Sequence, residues 1–215
     1  VISFWDLMDY NAQKKEIYTR KVLNELDKFT LEFVKILEKF TDYVIVSGYV
    51  SILLGRTRAS EDVDLLVPEM NFEKFDEIFV ELEKNNFECI NTSISKDAFS
   101  MLDYHSIAFS RAGMPVPHME FKKIINDIQK EALNGKLKVV LDKDTTNLYI
   151  SPLELQIAYK LSLISKGDFE EISSDKDFED AKHLYTYFRD GLNMKKLIYY
   201  VNLFKVQEMW KWLQK

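Results

Sequence analysis

Residues 44–67, VIVSGYVSILLGRTRASEDVDLLV, constrain this chain more than any other stretch. A β-branched run, YVIVS (43–47), stops at Gly48 and passes at once into Tyr49 to Leu54, a short apolar helix closed by Gly55. A polar connector, RTRASE, then leads into DVDLLVP (62–68), a second buried strand ended by Pro68. Side chains alternate along a strand, so Asp62 and Asp64 share one face while Val63, Leu65 and Val67 take the other. Two neighbouring carboxylates in an apolar strand repel each other and are costly to desolvate. Either the strand is an edge with both aspartates in water, or a hard divalent cation cancels their charge. Mg²⁺ in particular favours one or two carboxylates together with phosphate oxygens. Upstream, a strand running through Ser47-Gly48 straight into a helix aims free backbone N–H groups at an anion. Gly48 allows close approach and Ser47 adds a hydroxyl donor. An ordinary turn has the same local sequence, but a phosphate cradle followed by a carboxylate pair is far more specific than either alone.

The rest of the chain organises around this segment. From about Asn11 to Phe40, Ile17, Val22, Leu23, Leu26, Phe29, Phe33, Leu37 and Phe40 recur mostly at steps of three and four, which predicts a helical arm over 1–40. Residues 71–86 read as an amphipathic helix with Asn71 as N-cap. Between Phe87 and Ile125, FECINTSI, FSMLDYHSIAFS and HMEFKKI are strand candidates, the last two separated by the turn RAGMPVP. These elements predict an α+β fold: a small mixed sheet with helices packed on it over 41–145, and a helical domain over 146–215.

Composition narrows the class. The chain has 215 residues, 47% of them hydrophobic and 30% charged, with no apolar stretch of membrane-spanning length. The opening VISFWDLMDYNAQKK has no long apolar run and no small-residue cleavage site, so it does not read as a signal peptide. One cysteine, Cys89, rules out a disulfide framework and a thiolate zinc site, and fits a reducing, cytoplasmic setting. A net charge of −6 argues against holding DNA by bulk charge.

The motif as a whole resembles the minimal nucleotidyltransferases of the DNA polymerase β superfamily. Their pattern is an apolar residue, Gly, Gly or Ser, a spacer, then Asp-apolar-Asp/Glu-apolar. Here Val46-Ser47-Gly48 is followed by thirteen residues and then Asp62-Val63-Asp64-Leu65, with Ser47 where the first glycine is usual. Gly55-Arg56-x-Arg58-x-Ser60-Glu61-Asp62 is similar to the connector of the abortive-infection (AbiE-type) toxin branch. The clear resemblance covers about 24 residues. It implies a polymerase-β-like core and a third carboxylate from a neighbouring strand. Glu120, between apolar Met119 and Phe121, is the first candidate; Asp103 is its rival.

A weaker echo follows downstream. Ser151-Pro152-Leu153-Glu154 reads as a capping box with Pro at the first helical position. On that helix Lys160 falls within the apolar stripe of Leu153, Ile157, Leu161 and Ile164, where it needs a partner or must snorkel out. In the toxin branch a lysine so placed holds the nucleotide triphosphate. DKDFED (175–180) is similar to that branch's Lys-Asp-x-x-Asp element, so Asp177 becomes a partner for Lys160 or for the acceptor, or else an exposed helix-starting carboxylate.

Other signals carry less. His118-x-Glu120 lacks the Cys-x-x-Cys that zinc deaminases require. Pro115 and Pro117 forbid a helix between Arg111 and His118, which excludes the helical toxin ribonucleases. Asp142-Lys143-Asp144 reads as a loop. The lysine- and aromatic-rich tail, 194–215, is either a solvated helix face or an RNA-facing surface.

The resemblance therefore implies an enzyme that moves a nucleoside monophosphate from an NTP to a hydroxyl, with two Mg²⁺ on Asp62, Asp64 and Glu120. Ser47, Gly48, Arg56, Arg58, Lys160 and Asp177 are its expected nucleotide-binding residues. The toxin branch implies a tRNA 3′ end or a protein side chain as acceptor and an antitoxin as partner, with no membrane involved. A non-catalytic nucleotide-binding module of the antitoxin kind, a small-molecule enzyme of the antibiotic-modifying kind and a nucleotide-sugar glycosyltransferase are the competing readings.

Overall fold

The computed structural model describes residues 8–141, 147–165, 167 and 169–215. In chain order its elements are β1 (Met8–Asn11), β2 (Glu16–Thr19), α1 (Glu25–Leu37), β3 (Val44–Val46), α2 (Gly48–Leu53), β4 (Asp62–Val67), α3 (Phe72–Lys84), β5 (Phe87–Cys89), α4 (Ser95–Met101), β6 (Ile107–Arg111), β7 (Met114–Lys123), α5 (Asp127–Asn134), β8 (Leu137–Leu141), β9 (Asn147–Ile150), α6 (Leu153–Ser162), α7 (Phe169–Ser173), α8 (Lys176–Phe188), α9 (Met194–Leu203) and α10 (Gln207–Leu213). The strands form one mixed sheet in the order β1-β2-β8-β9-β3-β4-β7-β6-β5. Its centre matters most here: β3 runs antiparallel to β4, and β4 runs parallel to β7. The α+β expectation, a mixed sheet with helices on it and helices to the C-terminal side, describes this architecture. Among the described residues no helix is long and apolar enough to cross a membrane.

Packing on one sheet face fixes which residues face the other way. Val63, Leu65, Met119 and Phe121 are fully buried beneath β4 and β7. Phe33 of α1, Phe79 of α3 and Phe121 of β7 each meet the Phe109 ring of β6 at 5.8 Å between centroids. Each buried aromatic or branched side chain contributes about 1.5–3 kcal/mol. A slip of one residue would move Asp64 and Glu120 into this core, so the register is strongly specified.

The structure departs from the sequence expectations in several places. The helix expected from Asn11 begins only at Glu25, and Met8–Asn11 and Glu16–Thr19 are strands. β2 pairs in parallel with β8, so this part of the expected helical arm belongs to the sheet. Part of the expected strand FSMLDYHSIAFS is the helix α4, and part of the expected turn RAGMPVP is strand β7. The expected boundary at 145/146, the Asp142-Lys143-Asp144 loop and the first seven residues lie outside the described residues.

α6 is buried almost all round, including the polar residues Glu154, Gln156 and Lys160. Buried polar groups require partners, and each of these finds one on a different element. The expected capping box does not form. Glu154 Oε1 accepts from Asn193 N at 2.7 Å ahead of α9, and the Ser151 hydroxyl donates to Gln156 Oε1 at 2.9 Å.

Candidate active site

Parallel register brings the carboxylates together. Asp62 stands opposite His118, and Asp64 opposite Glu120 and, on its other side, Val46. Asp62, Asp64, His118, Glu120 and Lys122 therefore occupy one face, on adjacent strands and at alternate positions. Asp103, the rival third carboxylate, lies beyond α4, 57% exposed and ion-paired with Lys123. Glu120 is the one placed beside Asp64.

Each carboxylate is engaged separately. Asp62 Oδ1 accepts from Ser60 Oγ at 2.8 Å, Asp64 is ion-paired with Lys122, and Glu120 Oε1 lies 3.5 Å from His118 Nε2. Burial pulls the Lys122 ammonium down, but the charge and hydrogen bond of Asp64, with Glu120 behind, outweigh it and leave its pKa above the usual lysine value. His118 Nδ1 is buried with no hydrogen-bond partner among the described residues. The donor set, carboxylates at neighbouring positions on one face, suits a hard divalent cation. Among the described residues, however, no three His, Cys, Asp or Glu side chains converge on one point. A cation entering here must take Asp64 from Lys122.

The turn after β3 carries an unexpected conformation. Ser47 has φ +64° and ψ −138°, a region that glycine adopts freely and an L side chain resists. Holding serine there costs about 1–3 kcal/mol. Serine at this position therefore carries a strain that glycine would not. Gln156 offsets it: Oε1 accepts from Ser47 N at 3.2 Å and Nε2 donates to Ser47 O at 2.6 Å. At Gly48 a Cβ would collide with Arg58 Nη2, so the missing side chain makes room for the guanidinium.

The expected cations gather on α8 of the helical part. Arg56 Nε meets Asp180 Oδ1 at 2.7 Å, Arg58 Nη2 meets Asp180 Oδ2 at 3.0 Å, and Lys160 Nζ lies 2.6 Å from Asp177 and 3.0 Å from Asp180. Asp180 is fully buried. Lys160 does not snorkel out, and Asp177 is not an exposed cap, since Asp175 caps the helix instead. A cavity of about 120 Å³ adjoins Ser47 and Asp64, walled by Leu66, Lys122, Leu155, Gln156 and Tyr159. A larger open groove, about 620 Å³, lies by Lys35, Asp42 and Tyr149 and contains none of these residues.

Comparison with known proteins gives the following. No family model and no curated protein matches the chain. Solved structures similar to it include two at low identity. An antigenic nucleotidyltransferase-like protein from Paracoccidioides brasiliensis has 19% identity and a TM-score of 0.49, over 87% of this chain and 90% of that one. ANT(2″)-Ia, solved in complex with adenylyl-2″-tobramycin, has 13% identity and a TM-score of 0.44, over 83% of this chain and 98% of that one.

The structure thus brings the expected residues into two groups: Asp62, Asp64 and Glu120 on the sheet face, and Arg56, Arg58, Lys160 and Asp177 around Asp180. Ser47 and Gly48 lie between, touching the first group through the Val46–Asp64 pairing and the second through Arg58. Sequence reasoning gave no role to Lys122, Gln156 or Asp180, although Asp180 closes the Lys-Asp-x-x-Asp element. Lys122 was signalled by the period of two in HMEFKK, and Asp180 by its spacing of three from Asp177 on a helix. Gln156 had no local signal.

Proposed function

We propose that this chain is a metal-dependent nucleotidyltransferase that moves a nucleoside monophosphate from an NTP to a hydroxyl acceptor. The observation that carries this reading is the register of β3, β4 and β7, which puts the aspartate pair and Glu120 on one sheet face, with the glycine-like turn and Asp64 lining one cavity. In the reaction the acceptor oxygen bonds to the α-phosphorus, the α–β phosphoanhydride bond breaks, and pyrophosphate leaves. Asp62, Asp64 and Glu120 are the residues that would hold two Mg²⁺. When bound, these ions lower the pKa of an acceptor hydroxyl and neutralise the leaving pyrophosphate.

The chain's own groups supply binding and orientation. The Gly48 N–H at the start of α2 and the Arg58 guanidinium beside it grip the phosphates, while the N–H of Ser47 itself is taken by Gln156. Asp180 accepts from Arg58 Nε and Nη2 and Ala59 O accepts from Nη1, which holds the guanidinium in place with one N–H on each terminal nitrogen left to donate. Arg56 and Lys160 add positive charge around it, with Asp177 orienting Lys160. Following the resemblance to the toxin branch, we take a tRNA 3′ end or a protein side chain as acceptor, the cytoplasm as location and an antitoxin as partner.

The test is label transfer from each α-labelled NTP with Mg²⁺, in the presence of total tRNA or cell lysate. Transfer is expected to vanish in Asp62→Ala/Asp64→Ala. Glu120→Gln is expected to lose roughly 100-fold or more, the scale of losing a group that stabilises transition-state charge, while Asp103→Asn keeps its activity. Tight NTP binding without transfer to any acceptor would favour a binding module. The absence of both NTP binding and transfer would overturn the proposal.

A further inference from the structure

We propose that Gln156 is a positioning residue: its side-chain amide holds the Ser47 backbone in the glycine-like conformation that shapes the turn before Gly48. This rests on the function proposed above for its value to nucleotide binding, but the clamp itself rests on geometry alone.

The need for it follows from how β3 and β9 end. Their parallel pairing centres on Ile45 and Ile150, and Ser151 N donates to Ile45 O at 2.9 Å. Were the ladder to continue by one more pair, the carbonyl of residue 151 and the N–H of residue 153 would serve Ser47. The chain turns instead through Pro152 into α6, and both backbone groups of Ser47 lose their strand partner. One turn into the helix, Gln156 replaces both. Its oxygen accepts the Ser47 N–H at 3.2 Å and its nitrogen donates to the Ser47 carbonyl at 2.6 Å.

The amide cannot be turned round. Its oxygen also accepts the Ser151 hydroxyl at 2.9 Å, while its nitrogen faces a carbonyl. Gln156 is 1% exposed, so water does not compete for these bonds. Serine at φ +64° persists only where its surroundings over-determine it, and this doubly bonded amide provides that constraint. Because Val46 pairs with Asp64, a relaxed turn would shift against the carboxylate face as well.

Glycine at 47 adopts the same conformation without help, which makes the idea testable by a double-mutant cycle. We would make Gln156→Met, Ser47→Gly and the double variant, and measure thermal melts and affinity for a non-hydrolysable α,β-methylene NTP. Gln156→Met is expected to weaken analogue binding at least tenfold and lower the melting temperature. Ser47→Gly on that background is expected to recover affinity to within about threefold of the original protein and to raise the melting temperature more than it does alone. A Gln156 that serves only as core filling would lose the same amount in either background, and additive effects would overturn the proposal. So would a Gln156→Met protein that fails to fold and is not restored by Ser47→Gly. Coupled melts in a protein that binds no NTP in any variant would overturn the nucleotide reading while leaving the clamp in place.

Discussion

Replacing Asp180 by asparagine keeps the side chain's size and removes its charge from a position that is fully buried. Three cations are left facing a neutral amide: Arg56 from 2.7 Å, Arg58 from 3.0 Å and Lys160 from 3.0 Å. Each pair amounts to about 4 kcal/mol at an effective dielectric constant of 20. Much of that sum is offset by the desolvation that asparagine escapes, and breaking a buried pair by removing one partner costs about 3–5 kcal/mol net. Here the arginine side chains are 20% and 18% exposed, and Asp177 and Glu179 stay in place to hold Lys160 and Arg56. The loss should therefore sit near the lower end, about 3 kcal/mol. For a chain of this size that is about 6–12 °C in melting temperature, at roughly 2–4 °C per kcal/mol. Circular-dichroism melts and urea titrations of Asp180→Asn would read it. Asp103→Asn is the control, since that carboxylate is 57% exposed and its ion pair with Lys123 belongs to the class worth below about 1 kcal/mol. Added salt should change the control's small loss and leave most of the Asp180 loss intact. A loss at Asp180 no larger than at Asp103 would refute the idea that a buried carboxylate organises these cations.

Two further outcomes are expected. Lys122→Met removes the ammonium that holds Asp64, so Mn²⁺ should bind roughly tenfold tighter by titration, about 1.4 kcal/mol; unchanged or weaker binding would refute competition between Lys122 and a cation. His183 is held below its usual pKa by burial and by the Arg56 charge, against the Leu54 carbonyl, Asp180 and Glu179, which act to raise it. The unfolded chain then binds the proton more readily than the folded one, so stability rises with pH through the window below about 6.5 and is lost on acidification. His183→Gln should flatten that part of the stability–pH curve in urea titrations; an unchanged slope would count against it.

What could be read without the structure was whatever depends on neighbours in sequence. Alternation alone separates Asp62 and Asp64 from Val63, Leu65 and Val67, because successive side chains of any strand point to opposite faces. Helix α3 with its Asn71 cap, and the strand–turn–helix through Ser47 and Gly48, were legible for the same reason. The helix expected from Asn11 failed because β2 is a strand, paired with β1 on one side and on the other with β8, more than a hundred residues further on.

The choice of Glu120 over Asp103 was open in the sequence and was decided by the register between β4 and β7, which is set by burying Phe121, Met119, Val63 and Leu65 on the far face. Asp180 and Asp177 share a helix face by their spacing alone. That this face is the buried one, with Lys160 against it, depends on how α6 packs on α8. Spacing and alternation thus fix the charged groups and the faces they share. Three-dimensional packing decided that Lys122 occupies Asp64 and that Asp180 gathers the cations. It also decided that Gln156, 109 residues from Ser47, completes the turn, because long-range burial and the satisfaction of buried polar groups leave no mark on any local stretch of chain.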